Sequence, residues 1–259
     1  MRHLKYIFLF LTTILFSQTT IKTNFLKKIA IENDYLIHID NFSNQYFISA
    51  NTLIKKTKKA EFIYNNMMLG TINSVEVFSP LKINLFYKEF NIVIILDNRL
   101  SEVTKINFNT LRPFRNISNI SIGNDNTIWC FNQDNQQLEL FDYRTNTTRL
   151  KTLPIKENIV SITSNYNTCW LLTKTNLYIY NYFGSLIAKL KNEGFTMIKE
   201  TNGNIILQKM NSLYFLKKNG DQIIPIELPN LLIKQFFVTN ETLYIYDDEF
   251  LHQYQLIKK

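Results

Sequence analysis

Short runs of alternating hydrophobic and polar residues, separated by clusters of asparagine, aspartate and glycine, recur along most of this chain. The clearest example lies between Asn116 and Pro154, where four such runs follow one another: Ile117–Ile122, Thr127–Phe131, Leu138–Phe141 and Thr147–Leu153. Runs of this length with period-two alternation predict β-strands, and the polar clusters between them predict tight turns. Four antiparallel strands in about 40 residues are typical of one blade of a β-propeller.

The second strand of this unit carries a recurring pattern: a turn residue, a gap of one, and then two mostly apolar residues. The pattern ends at Phe47, Trp129, Trp170, Ile206 and Leu243, which lie 82, 41, 36 and 37 residues apart. Because the first spacing is twice the second, one further unit should lie between Phe47 and Trp129. Four strand-like runs fill that interval: Ile72–Val77, Lys82–Tyr87, Ile92–Leu96 and Val103–Phe108. The sequence therefore predicts six units.

The last unit contains only three runs, Ile233–Val238, Thr242–Tyr246 and Leu251–Leu256. A strand-like run near the N-terminus, Thr23–Ala30, belongs to no unit and would complete it. Closure is needed because a blade buries its faces only against its neighbours, and an open ring would expose a pairing edge. We therefore predict an all-β fold, a six-bladed β-propeller of four-stranded blades closed by the N-terminal strand.

Residues 1–17 have the pattern of a secretory signal peptide, with Arg2 and Lys5 before an apolar stretch from Tyr6 to Phe16. That stretch is shorter than the about 20 residues that a transmembrane helix needs. Cysteine first occurs at Cys130, so we expect no lipid anchor at a mature N-terminus. The predicted organisation is a signal peptide followed by a single propeller domain, residues 18–259. The predicted location is periplasmic or outer-membrane-associated.

Composition agrees with an exported all-β protein. The chain has 14 Tyr and 20 Phe but only 6 Gly, so its turns must depend on Asn and Asp. Removing the two cations of the signal peptide lowers the formal charge from +8 to +6. This modest charge allows peripheral attraction to anionic lipid, whereas nucleic acid is not an expected partner. We expect a monomeric propeller.

The two cysteines invite a disulfide in an oxidising compartment. Cys130 follows Trp129 and Cys169 precedes Trp170, and the two tryptophans hold equivalent positions in neighbouring units. Both cysteines therefore point away from the side of the blade that holds the tryptophan, and adjacent blades stack unlike faces. We predict buried free thiols rather than a bridge.

The segment Ser79–Lys88 (SPLKINLFYK), followed by Phe90-Asn91 and by Leu96–Leu100 (LDNRL), resembles a group of uncharacterised secreted propeller-like proteins of Bacteroidota. The stretch Asn126–Trp129 (NTIW) is similar to the same group, and the resemblance extends from about Asn66 to the C-terminus. More loosely, the architecture is similar to the propeller lipoprotein of the outer-membrane protein assembly machinery. The resemblance implies a fold and a location, and it implies no reaction.

Ionisable residues on the predicted innermost strands are candidates for lining the central channel. His38 and Asp40 lie two residues apart on one such strand, and Glu76 lies on the next. A hydrogen-bonded structural pair is the alternative for His38 and Asp40, and it is favoured because no third metal ligand is evident. Three further charged residues fall on inner strands: Lys199, Glu200 and Lys234.

The densest acidic cluster, Asp247-Asp248-Glu249, falls in a predicted turn of the last unit. Three consecutive carboxylates cannot converge on one cation, so a solvated turn is favoured over a calcium site. His252 falls on an outer strand, and we assign it no role. No metal or other cofactor is predicted.

The loop Asn109–Asn116 (NTLRPFRN) is the predicted partner-binding site. Arg112, Phe114 and Arg115 surround a proline there, and arginine and aromatic residues are enriched in interface hot spots. The alternative is that Phe114 packs into the core and both arginines are solvated.

Two functional hypotheses are consistent with these patterns. The first is a non-enzymatic envelope propeller whose loops bind another envelope protein, in outer-membrane assembly or in secretion. The second is an enzyme or small-ligand binder that uses the central channel, such as a lyase or a carbohydrate-acting protein. The sequence has no Gly-x-Ser-x-Gly, phosphate-binding glycine loop or zinc signature, which favours the first.

Overall fold

A computed structural model describes residues 20–31 and 35–257 of the chain. These residues form 24 β-strands in six four-stranded antiparallel sheets, with one short 3-10 turn, Met67–Leu69. The prediction of an all-β, six-bladed propeller is therefore confirmed. The predicted signal peptide lies outside the described residues. Within the described ranges, no helix is long and apolar enough to cross a membrane.

The strands of each blade follow one another from the centre of the ring outwards. Blade 1 contains β2 (Tyr35–Ile39), β3 (Gln45–Ser49), β4 (Thr52–Lys56) and β5 (Glu61–Tyr64). Blade 2 contains β6 (Ser74–Ser79), β7 (Lys82–Tyr87), β8 (Ile92–Leu96) and β9 (Glu102–Asn107). Blade 3 contains β10 (Ile117–Ile122), β11 (Thr127–Asn132), β12 (Gln137–Asp142) and β13 (Thr147–Lys151).

The second half of the ring has the same plan. Blade 4 contains β14 (Ile159–Ser164), β15 (Thr168–Thr173), β16 (Asn176–Asn181) and β17 (Leu186–Lys191). Blade 5 contains β18 (Met197–Thr201), β19 (Asn204–Lys209), β20 (Ser212–Leu216) and β21 (Ile223–Pro225). Blade 6 contains β22 (Gln235–Thr239), β23 (Thr242–Tyr246), β24 (Phe250–Ile257) and, as its outermost strand, β1 (Lys22–Ala30).

The ring closes through β1, as the sequence predicted. This strand pairs antiparallel with β24 from Lys22 opposite Ile257 to Ala30 opposite Phe250, with one β-bulge near Phe25. The first and last strands, β1 and β24, therefore belong to the same sheet. Blade 6 has four strands like the others, so it can pack against both of its neighbours.

The core lies between the blades. Six clusters of buried residues each draw on the facing sides of two adjacent blades. Each fully buried Leu, Ile or Phe side chain there contributes about 1.5–3 kcal/mol to the free energy of unfolding. Because every blade packs on two neighbours, the ring behaves as one rigid frame.

The two cysteines lie in different inter-blade clusters. Cys130 packs between blades 2 and 3, and Cys169 packs beside Trp129 between blades 3 and 4. Both are buried free thiols, as predicted. Burial raises the pKa of both thiols, so they remain protonated.

Asparagine and aspartate make the turns. The carboxylate of Asp97 accepts hydrogen bonds from the backbone N–H groups of Arg99 and Ser101, at 2.8 and 2.9 Å. Asn91 and Asn240 adopt the left-handed conformation, with φ of 54° and 49°. Both devices are typical of Asx turns, and they explain how so few glycines are sufficient.

The ring has two faces that differ in the loops they carry. We call the side on which the innermost strands begin the entry face, and the side on which they end the exit face. The connections between blades lie on the entry face, together with the turns between second and third strands. The turns after the first and third strands lie on the exit face.

Candidate functional site

A central cavity of about 370 Å³ opens at the exit face. All six innermost strands or the turns after them contribute to its wall. Its ionisable lining residues come from three blades: His38 from blade 1, Glu76 from blade 2, and Lys199 and Glu200 from blade 5. The volume is within the range of small-molecule sites.

Hydrogen bonds between neighbouring blades fix the rim of the cavity. Ser121 Oγ donates to Glu76 Oε1 at 2.9 Å, and Ser164 Oγ donates to Ser121 Oγ at 2.7 Å, which joins blades 2, 3 and 4. Asn165 Nδ2 donates to Glu200 Oε1 at 3.0 Å, which joins blades 4 and 5. The wall of the cavity is therefore held in place by the ring itself.

Glu76 has only one of its carboxylate oxygens hydrogen-bonded. Its Oε2 atom is buried, and no group among the described residues bonds to it. Burial raises the pKa of Glu76 to about 7, although Ser121, Lys199 and Lys82 oppose the shift. The carboxyl group therefore changes its charge near neutral pH.

Lys199 lines the cavity, and its side chain is exposed to solvent there although protein atoms crowd around it. Burial lowers the pKa of Lys199, and the negative charge of Glu76 opposes that shift. His38 is nearby, with its ring centroid 5.3 Å from that of Phe237. Burial and the charge of Lys199 lower the pKa of His38 to about 4, although Asp40 opposes the shift, so this histidine is neutral at physiological pH.

Asp40 does not line the cavity. Strand β2 ends at Ile39, and Asp40 begins the following turn, where its Oδ1 accepts from the N–H groups of Phe42 and Asn44 at 2.9 Å each. Its Oδ2 accepts from the hydroxyl of Tyr46 at 3.0 Å. The structure thus places His38 on the cavity wall and Asp40 in the neighbouring turn, where its carboxylate is bonded to that turn and to Tyr46.

An aromatic pair spans the mouth of the cavity. Phe78, from the end of β6, and Tyr166, from the turn after β14, meet edge to face with centroids 5.0 Å apart. Phe78 also lines the cavity, and Phe237 of blade 6 is a second lining residue although its side chain is only 4% exposed. The cavity is thus lined mainly by polar side chains, with one exposed aromatic pair at its mouth.

The structure places the three residues of the predicted loop site in different environments: one is buried and two are exposed. Arg115 is buried, with its Nε 3.0 Å from Glu139 Oε2, and its NH2 nitrogen donates to Thr148 Oγ1 at 2.9 Å. Burial opposes ionisation of Glu139, but hydrogen bonds from Thr148, Asn132 and Arg115 outweigh it and lower the pKa. Arg115 is therefore a structural cation, which corrects its assignment to a partner-binding surface.

The other two loop residues, Arg112 and Phe114, are exposed on the entry face. The alternative of a core position for Phe114 is therefore wrong. Asn91 holds the loop, because its side chain donates to the carbonyl of Arg115 at 2.6 Å and accepts from the N–H of Ile117 at 3.1 Å. The binding role of Arg112 and Phe114 stays a prediction.

Next to this loop, the connection between blades 1 and 2 exposes Met67 and Met68. Their side chains are 89% and 86% exposed. Phe90 lies between the two segments: a Cβ atom at Gly70 would come within 3.2 Å of its ring, and its carbonyl accepts from Asn109 Nδ2 at 2.8 Å. We call Met67, Met68, Phe90, Arg112 and Phe114 the entry-face patch.

The remaining charged candidates lie away from the cavity. Lys234 contacts Asp248 at 3.9 Å on the entry face. His252 Nε2 lies 2.6 Å from Asp247 Oδ2, and Asp247 Oδ1 accepts backbone hydrogen bonds, so this acidic cluster is a hydrogen-bonded turn. Among the described residues, no group of three metal-ligating side chains converges.

No protein-family model and no curated protein matches the chain. Among solved structures, a catalytically inactive virginiamycin B lyase from Staphylococcus aureus, with quinupristin, is 15% identical with a TM-score of 0.61. The match covers 86% of this chain and 80% of that one. At this identity the similarity shows the fold alone.

Two further solved bacterial proteins are also similar in structure. PorZ, an essential bacterial surface component of the type-IX secretion system of Porphyromonas gingivalis, is 13% identical with a TM-score of 0.53, over 86% of this chain and 31% of that one. BamB from Moraxella catarrhalis is 14% identical over 84% of this chain and 70% of that one, with a TM-score of 0.48, a likeness too loose to indicate function. Propeller similarity is confirmed, and membership of the secreted Bacteroidota group stays a prediction.

Sequence reasoning missed the aromatic pair and the two methionines. Phe78 and Tyr166 lie in different blades, and only the closed ring brings them together. Met67-Met68 did carry a signal, because the connection from Asn65 to Asn73 has no charged residue although it is a surface loop.

Proposed function

We propose that this chain is an exported, non-enzymatic propeller of the cell envelope that binds a protein partner through the entry-face patch. The predicted signal peptide supports export, to the periplasm or the outer membrane. One observation carries the proposal: two adjacent methionines are almost fully exposed on a rigidly held turn. Methionine and aromatic residues are enriched at interfaces, and methionine adapts to irregular partner surfaces.

The turn that carries the methionines is well anchored. Leu69 is buried between blades 1 and 2, and Asn66 Oδ1 accepts from the N–H of Met68 at 3.2 Å. Asn51 donates to the carbonyl of Gly70 and accepts from the N–H of Ile72, at 2.5 and 2.7 Å. A turn that is ordered before binding loses little conformational entropy when a partner docks.

The remaining patch residues make the surface asymmetric, with an apolar area on one side and a cation on the other. Phe90 and Phe114 extend the apolar area towards Arg112, the exposed cation of the patch. We expect a partner with an apolar centre and an acidic edge, because such a surface complements both features.

PorZ, a surface component of a secretion system, shares this fold over part of its length, but at 13% identity the likeness shows the fold alone. The similarity to virginiamycin B lyase gives no support to lyase activity, because one fold hosts many functions.

Affinity purification from detergent-solubilised envelopes of the native host tests the proposal. The tagged chain should recover a stoichiometric envelope protein. The double variant Met67→Ser, Met68→Ser should reduce recovery at least about tenfold, as loss of a hot spot does. Met210→Ser is the matched control, because Met210 is 82% exposed on the same face, in blade 5.

If recovery of the partner falls equally in the Met210 control, the binding is non-specific hydrophobic adsorption and not recognition by the entry-face patch. No recovered partner, or full recovery by the double variant, would overturn the proposal. Sequencing of the N-terminus of the purified protein tests export, and we expect it to begin near Gln18.

A further inference from the structure

The mouth of the central cavity has two unlike halves. Blades 5, 6 and 1 each place one asparagine there, in the turn after the innermost strand: Asn202, Asn240 and Asn41. All three side chains are exposed, and no group among the described residues bonds to their amides. Because a side-chain amide both donates and accepts hydrogen bonds, this half of the mouth offers both kinds of group to a ligand.

The backbone conformation accounts for two of these asparagines but leaves their amides unused. Asn202 and Asn240 are in the left-handed region, with φ of 50° and 49°, which asparagine tolerates better than most residues. Asn41 does not adopt that conformation. Glycine reaches the same φ without a side chain, so a substitution by glycine removes the amide and retains the turn.

The other half of the mouth is aromatic. Phe78 from blade 2 and Tyr166 from blade 4 meet edge to face on the side of blade 3, and each is 40% exposed. Exposed aromatic rings pack well against a flat apolar surface. The two halves together suit a ligand that has one apolar face and hydrogen-bonding groups along its edge.

The charges of the cavity wall favour a ligand without a net charge. Lys199 is one cation, His38 is neutral, and Glu76 and Glu200 are two carboxyl groups. Burial raises the pKa of both carboxyl groups, to about 7 for Glu76. Near neutral pH the wall therefore carries little net charge, and it attracts neither anions nor cations strongly.

We propose that the mouth of the cavity binds a neutral sugar ring. The hydroxyl groups of a sugar donate and accept hydrogen bonds, as the amides of Asn41, Asn202 and Asn240 do. The C–H groups on one face of the ring make that face apolar, and it packs on Phe78 and Tyr166. The cavity of about 370 Å³ has room for one ring, which is either a free monosaccharide or the last residue of a longer glycan. This site is on the exit face, so it is independent of the entry-face patch and of the proposed protein partner.

Saturation-transfer NMR on the purified chain tests the proposal with three pairs of probes: glucose and glucuronate, galactose and galacturonate, and N-acetylglucosamine and glucosamine. We expect the neutral member of at least one pair to bind, and its charged relative to bind more weakly. Oligosaccharides that end in the same sugar distinguish the two sources of the ring. Binding at least about tenfold tighter than that of the monosaccharide identifies a glycan end, equal binding identifies a free sugar, and either result supports the proposal.

Variants locate the site on the protein. The double variant Asn202→Gly, Asn240→Gly and the single variant Tyr166→Ser should each weaken binding of the sugar about tenfold, because they remove hydrogen bonds and a packing surface, respectively. Asn146→Gly and Phe183→Ser are the matched controls. Both residues are exposed in exit-face turns outside the cavity, and Asn146 shares the left-handed conformation, with φ of 57°.

Thermal unfolding of each variant verifies that the ring of blades is intact. Absence of saturation transfer from all three neutral sugars would overturn the proposal. Stronger binding of the charged member in every pair, or full binding by the folded asparagine and tyrosine variants, would also overturn it. These results leave the entry-face proposal unaffected, because its test uses other residues and another partner.

Discussion

Two charged pairs in this propeller differ in how completely their bonds are satisfied. Between blades 2 and 3, Arg115 and Glu139 are buried and in contact at 3.0 Å, and Glu139 also accepts from Thr148 and Asn132 at 2.7 and 3.1 Å. In the central cavity, Lys199 and Glu76 interact only through space, and Glu76 Oε2 has no bonded group among the described residues.

The first pair is suited to stabilising the fold, and the second is suited to interacting with a ligand. A buried pair whose donors and acceptors are all used by its own protein has nothing left to offer a ligand. A cation and a carboxyl group that face one cavity without contact retain that capacity. Perturbed ionisable groups in a cleft are candidates for function for the same reason.

The largest expected effect is a loss of stability when the fully bonded pair, Arg115 and Glu139, is broken. Arg115→Met should lower the free energy of unfolding by roughly 3 kcal/mol, because buried Glu139 then keeps only the partly exposed ammonium of Lys151, 3.8 Å away. Arg112→Met, in the same loop but exposed, should change it by less than about 0.5 kcal/mol. Urea unfolding followed by circular dichroism measures both.

A double variant sharpens the same prediction. Arg115→Met combined with Glu139→Leu removes both charges, and it should recover part of the loss because no unpaired ion remains. A double variant as unstable as Arg115→Met alone would show that the lost packing of Arg115 against Phe141, rather than the charge, sets the cost.

Most of the fold was predictable from sequence because its signals are local. Strands β7, β8, β10 and β23 have the predicted bounds, and the N-terminal strand closes the ring as expected. Alternation and Asn-rich turns depend on neighbours in the chain, and the repeat length then fixes the number of blades.

The roles of charged side chains were not predictable to the same degree. Arg112 and Arg115 lie three residues apart in one loop, yet one is exposed and the other is bonded across the blade to Thr148. Asp40 does not line the cavity, and its carboxylate is bonded within the turn after β2 and to Tyr46. Such outcomes depend on contacts with distant residues, which no local pattern encodes.

A smaller effect is expected on the pH dependence of stability through Glu76. Its pKa is about 7 when folded, against an ordinary value of 4.5, so the folded chain binds more protons between these values. This contribution to stability is present at low pH and is lost as pH rises to about 7. Glu76→Gln should therefore gain roughly 1–3 kcal/mol relative to the unsubstituted chain between pH 4.5 and 7.5.

Urea unfolding of both proteins across that range measures the difference, and the contribution of His38 cancels because both contain it. Glu61→Gln, at an exposed position on β5, is the control and should show a constant difference. A constant difference for Glu76→Gln as well would mean that the pKa of Glu76 is the same in the folded and the unfolded chain, so that burial does not raise it.

A small change in stability is expected for Lys199→Met. The ammonium is exposed and interacts with Glu76 only through space, so stability at pH 7 should change by less than about 1 kcal/mol. The pKa of Glu76 should rise, because Lys199 is one of the charges that hold it down. Carbon-13 NMR titration of the Glu76 carboxyl group measures this shift.

Lys82→Met tests the difference between a lysine that is hydrogen-bonded within the protein, Lys82, and one for which the described residues supply no such bond, Lys199. The charge of Lys82 also lowers the pKa of Glu76, but its ammonium donates to the carbonyls of Asp125 and Thr127 at 2.9 and 3.1 Å, tying blade 2 to blade 3. Lys82→Met should therefore raise the same pKa and also reduce stability measurably, since two carbonyl acceptors lose their donor. Equal losses of stability in the Lys82 and Lys199 variants would show that Lys199 too is bonded within the protein, and the distinction between a structural pair and a ligand-binding cavity would fail.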